Sequence, residues 1–160
     1  MSKASRDKGQ RGEREVCHKL SELLNLSVTR ELSASRDGGC DIKIQKGEFT
    51  YIIEVKLYRK ITQAIIDTWW EQAVRQAEEY GQVAKVLNPI PILIYRQSHW
   101  KNWECRVPLH WVTWQLECSS KIKKRQTRYI TMHIDIFTDI IQAGSDIHIS
   151  SGTMGVKREK

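Results

Sequence analysis

The stretch Asp41-Ile-Lys-Ile-Gln-Lys-Gly-Glu-Phe-Thr-Tyr-Ile-Ile-Glu-Val-Lys56 decides how this chain is read. Cys40–Gln45 alternates apolar and polar residues, and Phe49–Val55 is rich in β-branched and aromatic ones, so both read as strands. Between them stands Lys46-Gly47-Glu48, and a glycine followed by another residue suits a tight type II′ hairpin turn. With the turn centred on Gly47-Glu48, Lys46 pairs with Phe49. Counting outward then brings Asp41 opposite Glu54. Opposed residues of an antiparallel pair have Cβ atoms about 5 Å apart.

Two carboxylates at that distance repel each other unless a cation lies between them. Glu54 and Lys56 are two residues apart on one strand and therefore share its face. The hairpin thus gathers two acids and a base, and a hard divalent cation, Mg²⁺ or Mn²⁺, is the natural occupant of an oxygen-only site. Those are the parts of a metal-dependent site that cuts phosphodiesters. The alternative is a surface hairpin with ordinary charges. Against it, Glu54 follows the apolar run Tyr51-Ile52-Ile53, and a buried charge needs a partner or a metal.

With 160 residues the chain suits one domain with a real core. Its 26 Lys and Arg against 19 Asp and Glu leave a net charge of +7, which favours an anionic partner such as nucleic acid. The opening Met-Ser-Lys-Ala-Ser-Arg-Asp-Lys has no apolar run, so no secretory leader is expected. Nor is any segment apolar for long enough to span a membrane. A cytoplasmic setting is the expectation. Cys17, Cys40, Cys105 and Cys118 lack a CxxC spacing and are expected to be reduced thiols. A zinc site from Cys105, His110 and Cys118 can be drawn, but its spacing matches no common pattern.

Residues 1–9 are polar and read as a flexible basic arm. A helix is expected from Gln10 to Leu24, its stripe formed by Val16, Cys17, Leu20, Leu23 and Leu24. One turn back, that stripe reaches Glu13, which should point to the core and the acid pair, while Glu15 should point to solvent. Glu13 would be a third metal ligand or the partner of a core-edge arginine. Leu26–Ser33 reads as a first strand, and Ala34–Gly39 as a loop bearing Arg36 that could admit a phosphate backbone or merely turn the chain. A second helix is expected over Ile61–Tyr80, with Ile65, Trp69, Ala73, Ala77 and Tyr80 inward and Gly81 ending it. Gln72 and Gln76 flank that stripe and would hold a water or phosphate oxygen at the site, or be plain core-edge glutamines. Trp70 lies off the stripe and could face a partner subunit, whereas Trp69, Trp111 and Trp114 suit core or dimer contacts.

Pro89–Tyr95 reads as a buried strand with Arg96 at its end and Trp103–Val107 beside it. Pro108–Glu117 is ambiguous between helix and strand. Lys121–Arg128 is a basic run, Tyr129–Phe137 alternates like a strand, and Ser150–Lys160 reads as a flexible tail. The expected organisation is therefore an arm at 1–9, a core at 10–118, a basic run and β extension of the same domain at 119–149, and a tail at 150–160.

Helix, three strands, helix, strand, with Glu13, Asp41 and Glu54-x-Lys56 in that order, resembles the PD-(D/E)xK nuclease superfamily. The likeness is to archaeal Holliday-junction resolvases and related phage nucleases, over roughly residues 8–107. Lys8-Gly9-Gln10-Arg11-Gly12-Glu13-Arg14 is similar to their N-terminal Lys-Gly-x-x-x-Glu-Arg segment, Gly38-Gly39-Cys40-Asp41-Ile42 to the Asp segment, and Ile53-Glu54-Val55-Lys56 to the Glu-x-Lys strand. Trp69-Trp70-Glu71-Gln72-Ala73 and Pro91-Ile92-Leu93-Ile94-Tyr95-Arg96 resemble phage-type members, and Gln76 with Tyr80 resembles the Gln-x-x-x-Tyr element of exonuclease branches. Cys40 stands where the name-giving proline would be.

The resemblance implies an α/β restriction-endonuclease-like core, a mixed central sheet flanked by helices, here with an extra C-terminal β segment. It implies that Asp41, Glu54, the Val55 carbonyl and Glu13 hold Mg²⁺, with Mn²⁺ able to substitute. Lys56 would activate the attacking water, Gln72 would join the catalytic set, and Lys8, Arg14, Arg30, Arg36 and Arg96 would contact DNA phosphates. The implied activity is that of a structure-selective DNA endonuclease, a homodimeric Holliday-junction resolvase. A nuclease for linear duplex, flaps or ends, and a DNA-binding module without catalysis, are the competing readings.

Overall fold

The computed structural model describes residues 3–31, 39–115 and 129–151, with side chains over 6–31, 39–112 and 129–143. In chain order the elements are α1 (Lys3–Leu24), β1 (Ile42–Lys46), β2 (Phe49–Tyr58), α2 (Gln63–Ala84), β3 (Ile90–Gln97), β4 (Glu104–Pro108), α3 (Leu109–Gln115), β5 (Tyr129–His133) and α4 (Ile134–Ser151). The strands form one mixed sheet in the order β1-β2-β3-β4-β5. All neighbours are antiparallel except β2 and β3, which are parallel because α2 carries the chain back across the sheet.

Alternation along β2 assigns the two faces. Ile53, Val55 and Leu57 join the larger core, with Val16 and Leu20 of α1, Trp111 of α3 and Phe137 of α4. Ile52 meets Ala77 on the opposite face, where Ile66, Trp69, Trp70 and Ala73 of α2 cover Leu93 and Tyr95 of β3. The result is an α/β/α sandwich, as an α/β reading requires. Burial pushes the thiols of Cys17 and Cys40 up to about 11, so neither is a reactive nucleophile.

The hairpin has the expected register, Lys46 with Phe49 through Ile42 with Ile53. Gly47 takes φ +60, as the first central residue of a type II′ turn must. Elsewhere the structure corrects the sequence reading. The first helix begins at Lys3, so residues 3–9, expected as an arm, are helical. Leu26–Ser33 supplies no strand in its described part, only an isolated bridge from Arg30 to Ile42. Val28 turns inward instead, its N–H donating to the Ser21 hydroxyl at 3.0 Å, so this backbone is anchored to α1.

The helix expected over Ile61–Tyr80 runs over Gln63–Ala84, capped at its start by the Thr62 side chain and at its end by Lys85 at φ 55. Gly81 does not end it. A Cβ at that position would lie 3.1 Å from Pro89, and this close approach of the following chain is what glycine permits. Trp70 is buried, not partner-facing, and meets the Tyr129 ring edge-on. Tyr129–Phe137 is a strand only to His133, because Ile134, Phe137 and Ile141 are buried at helical spacing. The ambiguous segment after β4 is helical over Leu109–Gln115. Arg36, Cys118, the basic run 121–128 and residues 152–160 lie outside the described residues.

Candidate active site

Asp41 sits at the bend that leads into β1, one residue beyond the last pair of the ladder. Its backbone N–H donates to the Ile53 carbonyl at 3.1 Å, and its own carbonyl accepts from the Glu31 N–H at 2.9 Å. Its carboxylate reaches across to β2, where Oδ2 accepts the Val55 N–H at 2.8 Å. Three bonds, two to β2 and one to the Glu31 backbone, fix this acid, and they place it beside Glu54 as the hairpin count requires.

Glu54 is 3% exposed, in the middle of β2. Its Oε1 accepts from both Lys56 and Gln72, the Gln72 Nε2 lying at 2.9 Å. Lys56 comes from the same face of β2, and Gln72 descends from α2. Oδ1 of Asp41 and Oε2 of Glu54 receive no hydrogen bond from the described residues. The Asp41 carboxyl is pushed up to about 7, first by burial and then by the Glu54 carboxylate; the Val55 N–H and the Lys56 ammonium pull the other way without compensating. Asp41 and Glu54 outnumber their one local cation, Lys56, and present open oxygens. A hard divalent cation fits that donor set.

Glu13 is brought to the same region by α1. The close approach is made at Gly12, where a Cβ would come within 3.0 Å of Leu57 on β2 and 3.5 Å of Trp103. Glu13 does not join the pair as a third ligand here. It is ion-paired to Arg30, although its charge still raises Asp41. Among the described residues no three His, Cys, Asp or Glu side chains are grouped closely enough to hold a metal ion.

Gln76, one turn beyond Gln72, donates to the Gly39 carbonyl at 3.1 Å and so ties α2 to the segment that delivers Asp41. Glu15 does not point freely to solvent. It accepts from Arg96 at 2.7 and 2.8 Å and from the Trp103 indole at 3.0 Å, while the Arg96 guanidinium lies 4.6 Å from the Trp103 ring. Arg96, a candidate phosphate contact by sequence, is engaged in that clip, and Arg30 is engaged with Glu13. Lys8 is half-buried and Arg14 exposed on α1. The Glu15 clip has no local signature, because its partners lie 81 and 88 residues away along the chain.

A mixed sheet sandwiched by helices, with an acid pair and a lysine on a hairpin, defines a nuclease of the PD-(D/E)xK class. The chain belongs to one phage family of that class: residues 4–149 match the family described as "Phage putative PDDEXK endonuclease". The match runs well beyond residue 107, where the sequence motifs end, and takes in β5 and most of α4. No curated protein matches the sequence. Among solved structures, Archaeoglobus fulgidus Hjc, a Holliday junction resolvase from an archaeal hyperthermophile, aligns over 92% of this chain and 98% of its own, at 15% identity and a TM-score of 0.43. No helix among the described residues is long and apolar enough to cross a membrane.

Proposed function

We propose that the protein is a Mg²⁺-dependent DNA endonuclease whose site is built on Asp41, Glu54 and Lys56. The observation that carries this reading is the uncompensated Asp41–Glu54 pair, with open oxygens on both acids and a lysine beside them. Asp41, Glu54 and the Val55 carbonyl would hold the cation, with Mn²⁺ able to replace Mg²⁺, and Glu13 would complete the set on release from Arg30. The bound cation would supply water activation and neutralise phosphoryl charge.

The protein's own groups divide the remaining work. Val55 N–H fixes the Asp41 carboxylate, and the Gln72 amide fixes the rotamer of Glu54. Lys56, now on Glu54, would orient the attacking water and stabilise the charge that develops on the phosphate. Lys8, Arg14 and Arg36 are the basic side chains proposed to guide the DNA backbone.

The substrate favoured by the sequence motifs is branched DNA, with the four-way junction first and a homodimer as the working unit. Cutting two symmetric strands calls for two sites related by a twofold axis. The test is cleavage of a labelled four-way junction in Mg²⁺ and Mn²⁺, beside matched duplex and flap, with Glu54→Ala as control. Paired symmetric nicks on the junction alone, absent from the mutant, are expected. Equal cutting of every substrate would keep the nuclease and remove the resolvase. Tight binding with no metal-dependent cutting would overturn both.

A further inference from the structure

β2 carries Glu54, Lys56 and Tyr58 at every second position, so all three rise on the face that α2 covers. Each such step is about 6.6 Å, which puts Tyr58 one step beyond Lys56 and two beyond Glu54. Tyr58 is nevertheless 44% exposed. It rests on buried Trp69, ring centroids 4.7 Å apart. A second exposed aromatic, Trp100, follows β3, its ring 6.5 Å from Tyr95, and Tyr95 is the β3 partner of Lys56.

These rings are held on a stiff frame. Ser98 donates from both its backbone N–H, at 2.7 Å, and its hydroxyl, at 3.0 Å, to the Tyr58 carbonyl. The Ile61 N–H donates to Gln97 Oε1 at 2.8 Å, and the Trp100 N–H to the Gln97 carbonyl at 2.8 Å. The turn after β2 is thereby fastened to the turn after β3. Next to Tyr58 and Trp100 along the chain, Arg59, Lys60 and Lys101 are exposed and have no carboxylate partner among the described residues. Residues 56–62 and 96–103 contain no acid at all. Two acids near this end of the sheet, Asp67 and Glu104, are paired with Arg106 and His133.

A fixed aromatic surface rimmed by unpaired cations complements a nucleobase and its flanking phosphates. We propose that Tyr58, backed by Trp69 and flanked by Trp100, is a stacking platform for an unpaired base next to the phosphodiester cut at Glu54 and Lys56. Arg59, Lys60 and Lys101 hold the phosphates on either side. The proposal rests on the nuclease reading of the acid pair and names what the substrate must offer there. A continuous duplex keeps its bases stacked on each other, whereas a branch point or flap presents a free one. Stacking tolerates any base, so the platform selects DNA structure and not sequence.

The test places the fluorescent base 2-aminopurine at the branch of a flap and of a four-way junction, with Ca²⁺ replacing Mg²⁺ so that binding is read without cleavage. Its emission is expected to change on binding wild-type protein. Tyr58→Ala should return the emission to its free value and weaken binding of branched DNA by about 5- to 150-fold, the range for one base–aromatic stack. Tyr58→Phe should retain both. Tyr58→Leu still covers Trp69 but has no π face, and should behave as Tyr58→Ala while keeping the wild-type melting temperature within a few degrees. Glu54→Gln should keep the emission change, so loss of cleavage chemistry and loss of the platform are read separately. Unchanged emission with wild type, or a wild-type response from Tyr58→Leu, would overturn the proposal.

Discussion

Two of the ionic clusters that join helix to sheet in this molecule differ in how their charges balance. At the clip of α1 with β3, one carboxylate, Glu15, meets one guanidinium, Arg96, and the Trp103 indole. At the hairpin, Asp41 and Glu54 share one ammonium, Lys56, and a neutral amide from Gln72. The first cluster is electrically closed. The second carries surplus negative charge and, with Asp41 raised to about 7, holds it at a cost to the fold. Balanced charge marks a structural fastening, while unbalanced charge that the fold tolerates marks a place reserved for something that binds.

The largest expected effect belongs to the unbalanced cluster. Glu54→Ala should lower Mg²⁺-dependent cleavage by more than about 10³-fold while leaving the melting temperature unchanged or raised, because a repelling buried acid is gone. Single-turnover cleavage and thermal melting on the same preparation check both halves. A large loss of stability would place Glu54 with the fastenings. Lys56→Ala should cost about 10²–10³-fold in the cleavage step with little change in DNA affinity, read by single-turnover rates against binding in Ca²⁺. Gln72→Ala, which only frees the Glu54 rotamer, should cost about 10–100-fold in activity or in Mg²⁺ affinity by calorimetry.

The balanced cluster answers to a different measurement. Arg96→Met should destabilise the protein by about 2 kcal/mol in urea unfolding, less than a fully buried pair because Glu15 is partly exposed. Loss of cleavage without loss of stability in that variant would dissolve the distinction between the clusters. The last effect is on pH. Because folding raises the Asp41 carboxyl above its unfolded value near 4, the native state binds the extra proton between about 4 and 7. Stability of the metal-free protein should therefore be greatest at the acid end of that window and fall as pH rises to about 7. Asp41→Asn should flatten this component of the slope, as unfolding free energies at a series of pH values would show.

Much of the candidate site was legible because it is local. The alternation of Cys40–Gln45, the glycine at 47 and the apolar run before Glu54 specify a hairpin register with no help from the rest of the chain. Gln72 was legible from helical spacing alone. Glu15 was misread because helix periodicity sees only its own face, and the partners that claim it come from β3 and the segment before β4. Leu26–Ser33 has β-branched residues suited to a strand, but Val28 is drawn onto α1, a tertiary preference that propensity does not contain. After β5 the same apolar residues pass from alternating to helical spacing with no glycine or proline to mark the change, so the boundary at Ile134 was invisible.

The hairpin that carries Asp41, Glu54 and Lys56 and the helix that carries Gln72 occupy one continuous run of chain, yet neither can stay in place by itself. α2 packs on Leu93 and Tyr95, and β2 needs β3 as its parallel neighbour, so the run is held only after β3 has left the ribosome. A growing chain therefore carries every side chain of the acid pair and its supports well before it can use them. The site is therefore complete only when β3 stands beside β2 and beneath α2.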